Sequence, residues 1–180
     1  MTIGLVSGSY DPITKGHLAV IKSAVKMVDT LYVAIARNAD KGVPYFTDKE
    51  RWATVNSAIE EELPWDDAKK VIVVYADNGM IVDLCDKHGA TLMFRGLRNS
   101  ADFTYEQGMQ QFNNDFAPHI STVFLMPPPD VAKISSSAIR GLVGLANWEE
   151  RVRPYVHNNT FGLLRAKQSF KNQCYTQVAP

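Results

Sequence analysis

The sequence predicts an α/β fold in which five parallel strands form one doubly wound sheet within a single domain. Five short apolar runs alternate with stretches of helical periodicity, which is typical of βαβ units. The chain has 180 residues, of which 46% are hydrophobic, so it can bury the core of one ordinary domain. Glycine, proline or charged residues follow each run, as expected where strands end at a ligand site. Together these observations describe a Rossmann-like sheet.

The strands are the apolar runs, and the helices are the amphipathic stretches between them. Strands are expected at residues 3–7, 31–36, 71–75, 91–94 and 121–126. Helices are expected at residues 18–25, 48–63, 80–88, 102–116, 134–140 and 157–167. Thr47 and Glu50 have the spacing of a capping box, and Pro64 ends the helix that they open. Gly89 is placed to end the helix before it, and the three prolines at 127–129 predict a stiff loop.

The domain is expected to span residues 1–168, with a C-terminal tail at residues 169–180. The tail mixes Ser, Lys, Asn, Gln and Thr. Both an ordered extension and a frayed end remain open for it.

Composition excludes several classes of function. Lys+Arg and Asp+Glu both number 19, so no global positive field favours nucleic acid. Cys85 and Cys174 make no disulfide framework, and Cys85 is expected to be a small core residue. No stretch resembles a secretory signal or approaches the length of a membrane span. The expectation is a cytoplasmic protein with no membrane partner.

The ten residues after the first strand, 8–17, read GSYDPITKGH. Gly8 allows a sharp turn or the close approach of a ligand, and the Asp-Pro pair is a turn signal. Gly16 is expected just before the helix, where unpaired backbone N–H groups favour anions. His17 would lie at the helix start with its ring near bound phosphates, and Thr14 is close enough to share that pocket.

Polar residues also follow the other four strands. Lys41 follows the second strand, the turn at residues 77–79 the third, Arg95 and Arg98 the fourth, and the serine run 135–137 the fifth. Because the carboxyl ends of parallel strands meet at one edge, we expect one shared site. Guanidinium groups, hydroxyls and helix-start N–H groups all suit phosphate oxygens. Taken singly, solvated arginines and a plain N-cap remain the alternatives.

Other charged and titratable residues are less specific indications of function. Glu106 would accept a hydrogen bond from a ribose hydroxyl or pair with an arginine, and Arg140 would add charge to the site or face solvent. His88, His119 and His157 are expected to be surface or packing residues. No Cys/His spacing indicates a zinc site.

These motifs resemble those of two nested groups of proteins. T-x-G-H after G-S-Y-D-P is similar to the signature of the nucleotidyltransferase α/β phosphodiesterase superfamily, whose members move a nucleotidyl group from a nucleoside triphosphate onto a phosphate. RGLR-x3-DF-x-YE, with FTDKER and ISSSAIR, resembles the bacterial phosphopantetheine adenylyltransferases over roughly residues 3–167. The resemblance implies transfer of AMP from ATP to 4′-phosphopantetheine, giving dephospho-coenzyme A and pyrophosphate.

The resemblance also implies roles for particular residues. It implies His17, Lys41 and Arg98 as catalytic residues, with His17 stabilising the transition state at the α-phosphate. The implied ATP site comprises Gly8, Ser9, Tyr10, His17, Gly96, Arg98, Glu106, Ser135, Ser136 and Ser137. The implied acceptor site comprises Ser9, Lys41, Met80, Arg95, Met109 and Asn113. The chain departs from the family pattern at Ser7, where a proline is usual, and at Ser9, where a threonine is usual.

The expected chemistry needs no activating base, because the acceptor phosphate is already an anionic nucleophile. Fixed cations and a Mg²⁺ ion are expected to neutralise the charge of two polyanions and hold them in line. Asp11 is a candidate for indirect contact with the metal. The resemblance further implies a homo-oligomer, namely a hexamer.

Two other functions stay open. A related transferase such as nicotinamide-nucleotide adenylyltransferase would share T/H-x-G-H and the serine run, but is not expected to carry RGLR-x3-DF-x-YE. A catalytically silent nucleotide-binding protein would have the same fold. The presence of both His17 and Arg98 argues against it.

Overall fold

The computed structural model describes residues 1–37, 42–76 and 79–176, with side chains as far as residue 171. The strands are β1 (Ile3–Gly8), β2 (Thr30–Ile35), β3 (Val71–Tyr75), β4 (Leu92–Gly96) and β5 (Ser121–Leu125). The helices are α1 (Lys15–Ala24), α2 (Asp48–Glu62), α3 (Trp65–Ala68), α4 (Ile81–His88), α5 (Ser100–Phe116), α6 (Pro129–Ala132), α7 (Ser136–Leu142), α8 (Trp148–Val152) and α9 (Asn158–Thr176). Short 3₁₀ turns follow α1 and α8.

The five strands form one parallel sheet in the order β3-β2-β1-β4-β5, which confirms the predicted fold class. The order reverses direction between β1 and β4, so these two strands flank the topological switch point. Their pairing ends at Val6 and Phe94, whereas β1 pairs with β2 as far as Gly8 and Ile35. The carboxyl ends of β1 and β4 therefore part, and a cleft can open between them.

Apolar side chains fill both faces of the sheet. One cluster joins α1 and α2 to the sheet, and a second joins α4 to the opposite face. Cys85 belongs to the second cluster and is fully buried, as predicted, and burial raises the pKa of its thiol to about 12. A third cluster packs the C-terminal helices around Phe46 and Trp148. Within the described residues, no helix combines the length and apolar character needed to cross a bilayer.

Several local predictions are confirmed. Thr47 and Glu50 form the expected capping box at the start of α2. Gly89 follows α4 with φ +67°, the left-handed conformation that favours glycine at this position.

Other predicted boundaries were wrong. Helix α1 begins at Lys15, so Gly16 lies in its first turn rather than before it. Arg95 and Gly96 belong to β4, because that strand continues to pair with β5 beyond the apolar run. Pro129 opens the short helix α6 instead of extending a stiff loop, since proline is tolerated at a first helical position. Helix α9 runs past residue 167 to Thr176, and α3 and α8 were not predicted.

Candidate active site

An open cleft of about 800 Å³ lies at the carboxyl ends of the strands. Residues from the loops after all five strands line it, so the prediction of one shared edge is matched by the geometry. The sequence-predicted residues that line it are Gly8, Ser9, Tyr10, His17, Arg95, Gly96, Arg98, Glu106, Met109, Ser135, Ser136 and Ser137.

Five predicted site positions do not join this group. Lys41 lies outside the described residues, as do the first two residues of the turn at 77–79, whose last residue lines the cleft. Met80 and Asn113 lie within the described residues and are partly buried, but neither of them lines the cleft. Their part in binding stays a prediction.

His17 and Thr14 form a reciprocal cap at the start of α1. The His17 backbone N–H donates to the Thr14 hydroxyl at 3.4 Å, and the Thr14 backbone N–H donates to His17 Nδ1 at 3.0 Å. Thr14 Oγ1 also lies 2.9 Å from the same ring nitrogen. Because Nδ1 accepts a hydrogen bond, Nε2 carries the proton in the neutral ring and is its donor. The predicted helix-start histidine is thus held as a hydrogen-bond donor at the cleft.

Gly8 and Gly16 allow the protein to pack closely on itself, and both also line the cleft. A Cβ on Gly8 would lie 2.9 Å from the ring of Tyr10, and a Cβ on Gly16 would lie 3.0 Å from the carbonyl oxygen of Val131 in α6. The turn therefore packs against its own aromatic ring and against the segment that precedes the serine run.

Tyr10 has an unusual conformation for an aromatic residue. Its φ is +45°, in the left-handed region where a bulky side chain is strained, as at many functional turns. Its ring meets that of His17 edge-on, with centroids 5.3 Å apart. Burial raises the pKa of the Tyr10 phenol, and the positive charge of Arg95 offsets this only in part. Its hydroxyl has no partner among the described residues.

A buried arginine in α2 holds the turn to the end of β2. Arg51 is 1% exposed, and its Nη1 donates to the carbonyl oxygens of Ser9 at 2.9 Å and Ala36 at 3.2 Å. Its Nη2 donates to Asp48 at 2.6 Å, and the other oxygen of Asp48 accepts from Arg37 at 2.7 Å. The hydrogen bonds of Arg51 and then of Arg37 lower the pKa of the Asp48 carboxyl.

Asp11 links its own turn to the loop before α2 and to helix α7. Its carboxylate accepts the backbone N–H groups of Tyr45 at 2.9 Å and Phe46 at 2.7 Å, and Arg140 lies 3.5 Å away. Arg140 also donates to the carbonyl oxygen of Asp11. The carboxylate of Asp11 is therefore already bound by backbone N–H groups and by an arginine of the protein itself. Among the described residues no group of three or more His, Cys, Asp or Glu could hold a metal ion.

The serine run is engaged in local hydrogen bonds. Ser135 caps α7, Ser136 Oγ donates to the carbonyl oxygen of Pro12 at 2.8 Å, and Ser137 Oγ accepts from Arg140 at 3.1 Å. The N-cap alternative is thus correct for Ser135. All three serines line the cleft, and their contact with phosphates stays a prediction.

Arg95 forms a polar network in the cleft with Glu106 and Ser7. Its Nε and Nη2 donate to the two oxygens of Glu106 at 2.8 and 2.6 Å, and its Nη1 donates to Ser7 Oγ at 2.8 Å. Burial alone would lower the pKa of Arg95, but the hydrogen bonds and charge of Glu106 raise it. Glu106 therefore pairs with an arginine, the second of its two expected roles.

Arg98 is bound by the first turn of α5. Its Nε and Nη2 donate to Asp102 at 2.9 and 3.2 Å, and its backbone N–H donates to the same carboxylate at 3.1 Å. Burial alone would raise the pKa of Asp102, but these bonds lower it. The arginine is 40% exposed along its side chain, so it presents charge at the mouth of the cleft.

Sequence reasoning missed several residues of the site. Arg37 follows β2 and lines the cleft, a position that the rule applied to the other strands would have found. Tyr105 also lines it from α5. Arg51 lies beneath the turn, and nothing in its spacing along α2 separates it from an exposed arginine. Its burial depends on carbonyl oxygens supplied by two other loops.

Comparisons with known proteins agree with this geometry. Residues 5–142 match the family described as cytidylyltransferase-like. Phosphopantetheine adenylyltransferase of Neisseria meningitidis is 37% identical over 169 residues, which cover 92% of this chain and 94% of that protein. The Chromobacterium violaceum enzyme of the same name is 35% identical over 156 residues, covering 87% and 91%. The structure of Plasmodium falciparum nicotinic acid mononucleotide adenylyltransferase with NaAD has a similar fold, with a TM-score of 0.68 over 92% of this chain and 95% of that one at 17% identity.

Proposed function

We propose that this chain, which belongs to the phosphopantetheine adenylyltransferases within the cytidylyltransferase-like family, transfers the adenylyl group of ATP to 4′-phosphopantetheine. The products are dephospho-coenzyme A and pyrophosphate, so the reaction is a step of coenzyme A biosynthesis. Because it consumes ATP, we propose the cytoplasm as its compartment.

The chemistry is a displacement at phosphorus. An oxygen of the acceptor phosphate attacks the α-phosphorus of ATP, and the bond from that phosphorus to the oxygen bridging the β-phosphate breaks. Pyrophosphate leaves with the electron pair. The obstacle is repulsion between two polyanions, so the protein must supply fixed cations and hydrogen-bond donors in an in-line arrangement. His17 would donate its Nε2–H to the oxygens of the α-phosphate, where negative charge develops.

We assign different residues of the cleft to the two substrates. Arg98 follows β4 in the chain and the serines 135–137 follow β5; all of them line the cleft, and we assign them to the triphosphate of ATP. Arg95 lies at the switch point between β1 and β4, and we assign it to the acceptor phosphate. Lys41 would add a second cation there. Met80, Met109 and Asn113 are assigned to the arm of the acceptor.

Mg²⁺ enters this proposal with the substrate, as its chelate with the phosphates of ATP. Magnesium usually keeps several waters and takes few protein ligands, with substrate phosphates supplying the rest. This mode of binding suits a cleft whose lining carboxylate, Glu106, already binds Arg95, while Asp11 already accepts two backbone N–H groups. The ion would reduce the charge that the cations of the cleft must neutralise.

The observation that carries the proposal is the gathering of His17, Arg95, Arg98 and the serine run around one cleft at the switch point. A panel of acceptors with ATP and Mg²⁺ tests it. We expect 4′-phosphopantetheine to release pyrophosphate and to yield dephospho-coenzyme A by mass spectrometry. Dephosphorylated pantetheine is the matched control, and it should give no product.

The same panel separates the alternatives. Nicotinamide mononucleotide should give little product. Equal or faster turnover with it would assign the chain to a different transferase of the superfamily. ATP binding without pyrophosphate release from any acceptor would indicate a catalytically silent protein.

We also propose that the chain forms a homo-oligomer, and specifically a hexamer. Helix α5 has 17 residues and none of them is buried, although the helix follows β4, an interior strand of the sheet. Phe112 and Phe116, four residues apart on one side of this helix, are exposed, and their ring centroids are 4.9 Å apart. Rows of exposed aromatic residues are more common at interfaces than on free surfaces. A second copy of the chain would cover this face.

A further inference from the structure

Ser7 lies where β1 and β4 part. It pairs across the sheet with Ala34 of β2, whereas on its other side the pairing with β4 has ended one residue earlier, at Val6 and Phe94. Ser7 and Arg95 are therefore the first residues beyond the last backbone pair. Their side chains meet in the space that the diverging strands leave.

The Ser7 hydroxyl completes a two-sided clamp on Arg95. Nη1 of the arginine lies 2.8 Å from Ser7 Oγ and 3.4 Å from the Ser7 carbonyl oxygen. Nε and Nη2 bind both oxygens of Glu106 on another edge of the guanidinium plane. Strand β1 and helix α5 therefore each hydrogen-bond to a different edge of the Arg95 guanidinium group.

The two partners act differently on the charge. Glu106 is an anion, so it orients Arg95 but also compensates its positive charge. Ser7 is neutral, so it restricts the guanidinium without reducing the charge that a phosphate would meet. An arginine held in place before binding loses less side-chain entropy when the ligand arrives. A proline, which the family resemblance predicts at position 7, has no side-chain acceptor to offer.

We infer that Ser7 is a positioning residue for the acceptor phosphate, which it serves by holding Arg95 in the orientation that receives that phosphate. This inference rests on the proposed function. Ser7 need not touch the reacting atoms, and its effect passes through Arg95. Replacing Ser7 should therefore weaken the affinity for the acceptor and leave the use of ATP unchanged.

Steady-state kinetics of Ser7→Ala and Ser7→Thr test the inference. Loss of one hydrogen bond to the arginine should raise the KM for 4′-phosphopantetheine roughly 3- to 10-fold. The KM for ATP, kcat and the melting temperature should stay close to the wild-type values. Ser7→Thr keeps the hydroxyl and should restore the acceptor KM. In an Arg95→Lys background, Ser7→Ala should add little, because the planar partner is gone.

Three results would overturn the inference. These are an unchanged acceptor KM in Ser7→Ala, an equal rise in both KM values, and failure of Ser7→Thr to restore the acceptor KM. A lower acceptor KM in Ser7→Ala would mean that Ser7 withholds Arg95 from the ligand, which also contradicts it. Wild-type protein that fails to use 4′-phosphopantetheine would contradict the proposed function itself. The inferred role of Ser7, which rests on that function, would then be wrong as well.

Discussion

At the scale of single residues, the proposed chemistry depends on which ring nitrogen of His17 carries a proton. The bond from the Thr14 backbone to Nδ1 assigns it to Nε2. The histidine thus has two roles, because it caps α1 through one nitrogen and presents a donor through the other. A substitution that removes both roles at once cannot tell them apart.

His17→Gln separates capping from catalysis. Glutamine at this position can still accept from the Thr14 backbone N–H, as in an ordinary capping box. We therefore expect a nearly unchanged melting temperature and ATP binding within a few-fold of wild type. Glutamine keeps an amide NH₂ donor but not the rigid ring position of Nε2–H, so turnover should fall by up to roughly 10²- to 10³-fold, the typical effect of losing one preorganised donor.

Calorimetry with ATP and pyrophosphate release from the same preparation check this prediction. His17→Ala is the companion variant, and it should lose activity and also some stability of α1. Near-normal turnover of both variants would place His17 among the structural residues only.

At the scale of single residues, sequence reasoning found the site residues that follow strands in the chain. It predicted His17, Arg95, Arg98 and the serine run, all of which line the cleft. It did not find Arg51, whose burial arises only when the loops after β1 and β2 meet above α2. It also left the partner of Glu106 open, since that depends on how α5 lies against β4.

At the scale of elements, polar links between helices hold the frame behind the cleft. Lys22 of α1 donates to Glu62 of α2 at 2.7 Å, and His157, just before α9, has its Nε2 3.4 Å from the other oxygen of Glu62. The bond from Lys22 lowers the pKa of Glu62 below its ordinary value of about 4.5, and His157 contributes less. Three helices therefore meet at one carboxylate.

Glu62→Gln should destabilise the protein in a pH-dependent way. A carboxyl with a lowered pKa in the folded state contributes stability above its unfolded pKa, and that contribution disappears as the pH falls through the folded value. The variant should therefore lose stability relative to wild type at pH 7, and the difference should shrink below about pH 4.5.

Urea unfolding at pH 7 and pH 3.5 measures this difference. Glu60→Gln, an exposed carboxylate on the same helix, is the control and should show little change at either pH. An equal loss for Glu62→Gln at both values would show that the carboxylate charge is irrelevant to the link.

Element ends were harder to predict than elements, for physical reasons. The apolar run of β4 stops at Phe94, yet the strand continues because β5 supplies partners as far as Leu125. Helix α1 starts earlier than its apolar period because Thr14 caps it. The ends of these strands and helices depend on residues that are neighbours in space. The hydrophobic periodicity along the chain therefore does not predict them.

At the scale of the whole molecule, α5 stands out as a long helix of 17 residues in which the single chain buries none. Its aromatic residues include Phe116, 61% exposed, and Phe112, whose ring lies 4.9 Å from that of Phe116. By contrast, the alternation of strands and helices was enough to predict a parallel sheet, because parallel strands need crossovers.

Light scattering after gel filtration tests the proposed assembly. We expect the wild-type mass to be about six times the 20.1 kDa of one chain. Phe112→Glu and Phe116→Glu should lower it, because a charge would be buried at the interface. Trp65→Glu is the matched control, since Trp65 is 76% exposed on α3, and its mass should not change. A monomeric wild type would contradict the assembly.

The central claim is that an oxygen of the acceptor phosphate attacks the α-phosphorus of ATP within this cleft. Isotope tracing tests it most directly, with 4′-phosphopantetheine whose phosphate carries ¹⁸O, unlabelled ATP and Mg²⁺. The account predicts that all of the label remains in dephospho-coenzyme A, with one labelled oxygen in the new P–O–P bridge by ³¹P NMR, and that the released pyrophosphate is unlabelled. Label in the pyrophosphate, or no dephospho-coenzyme A at all, would contradict it.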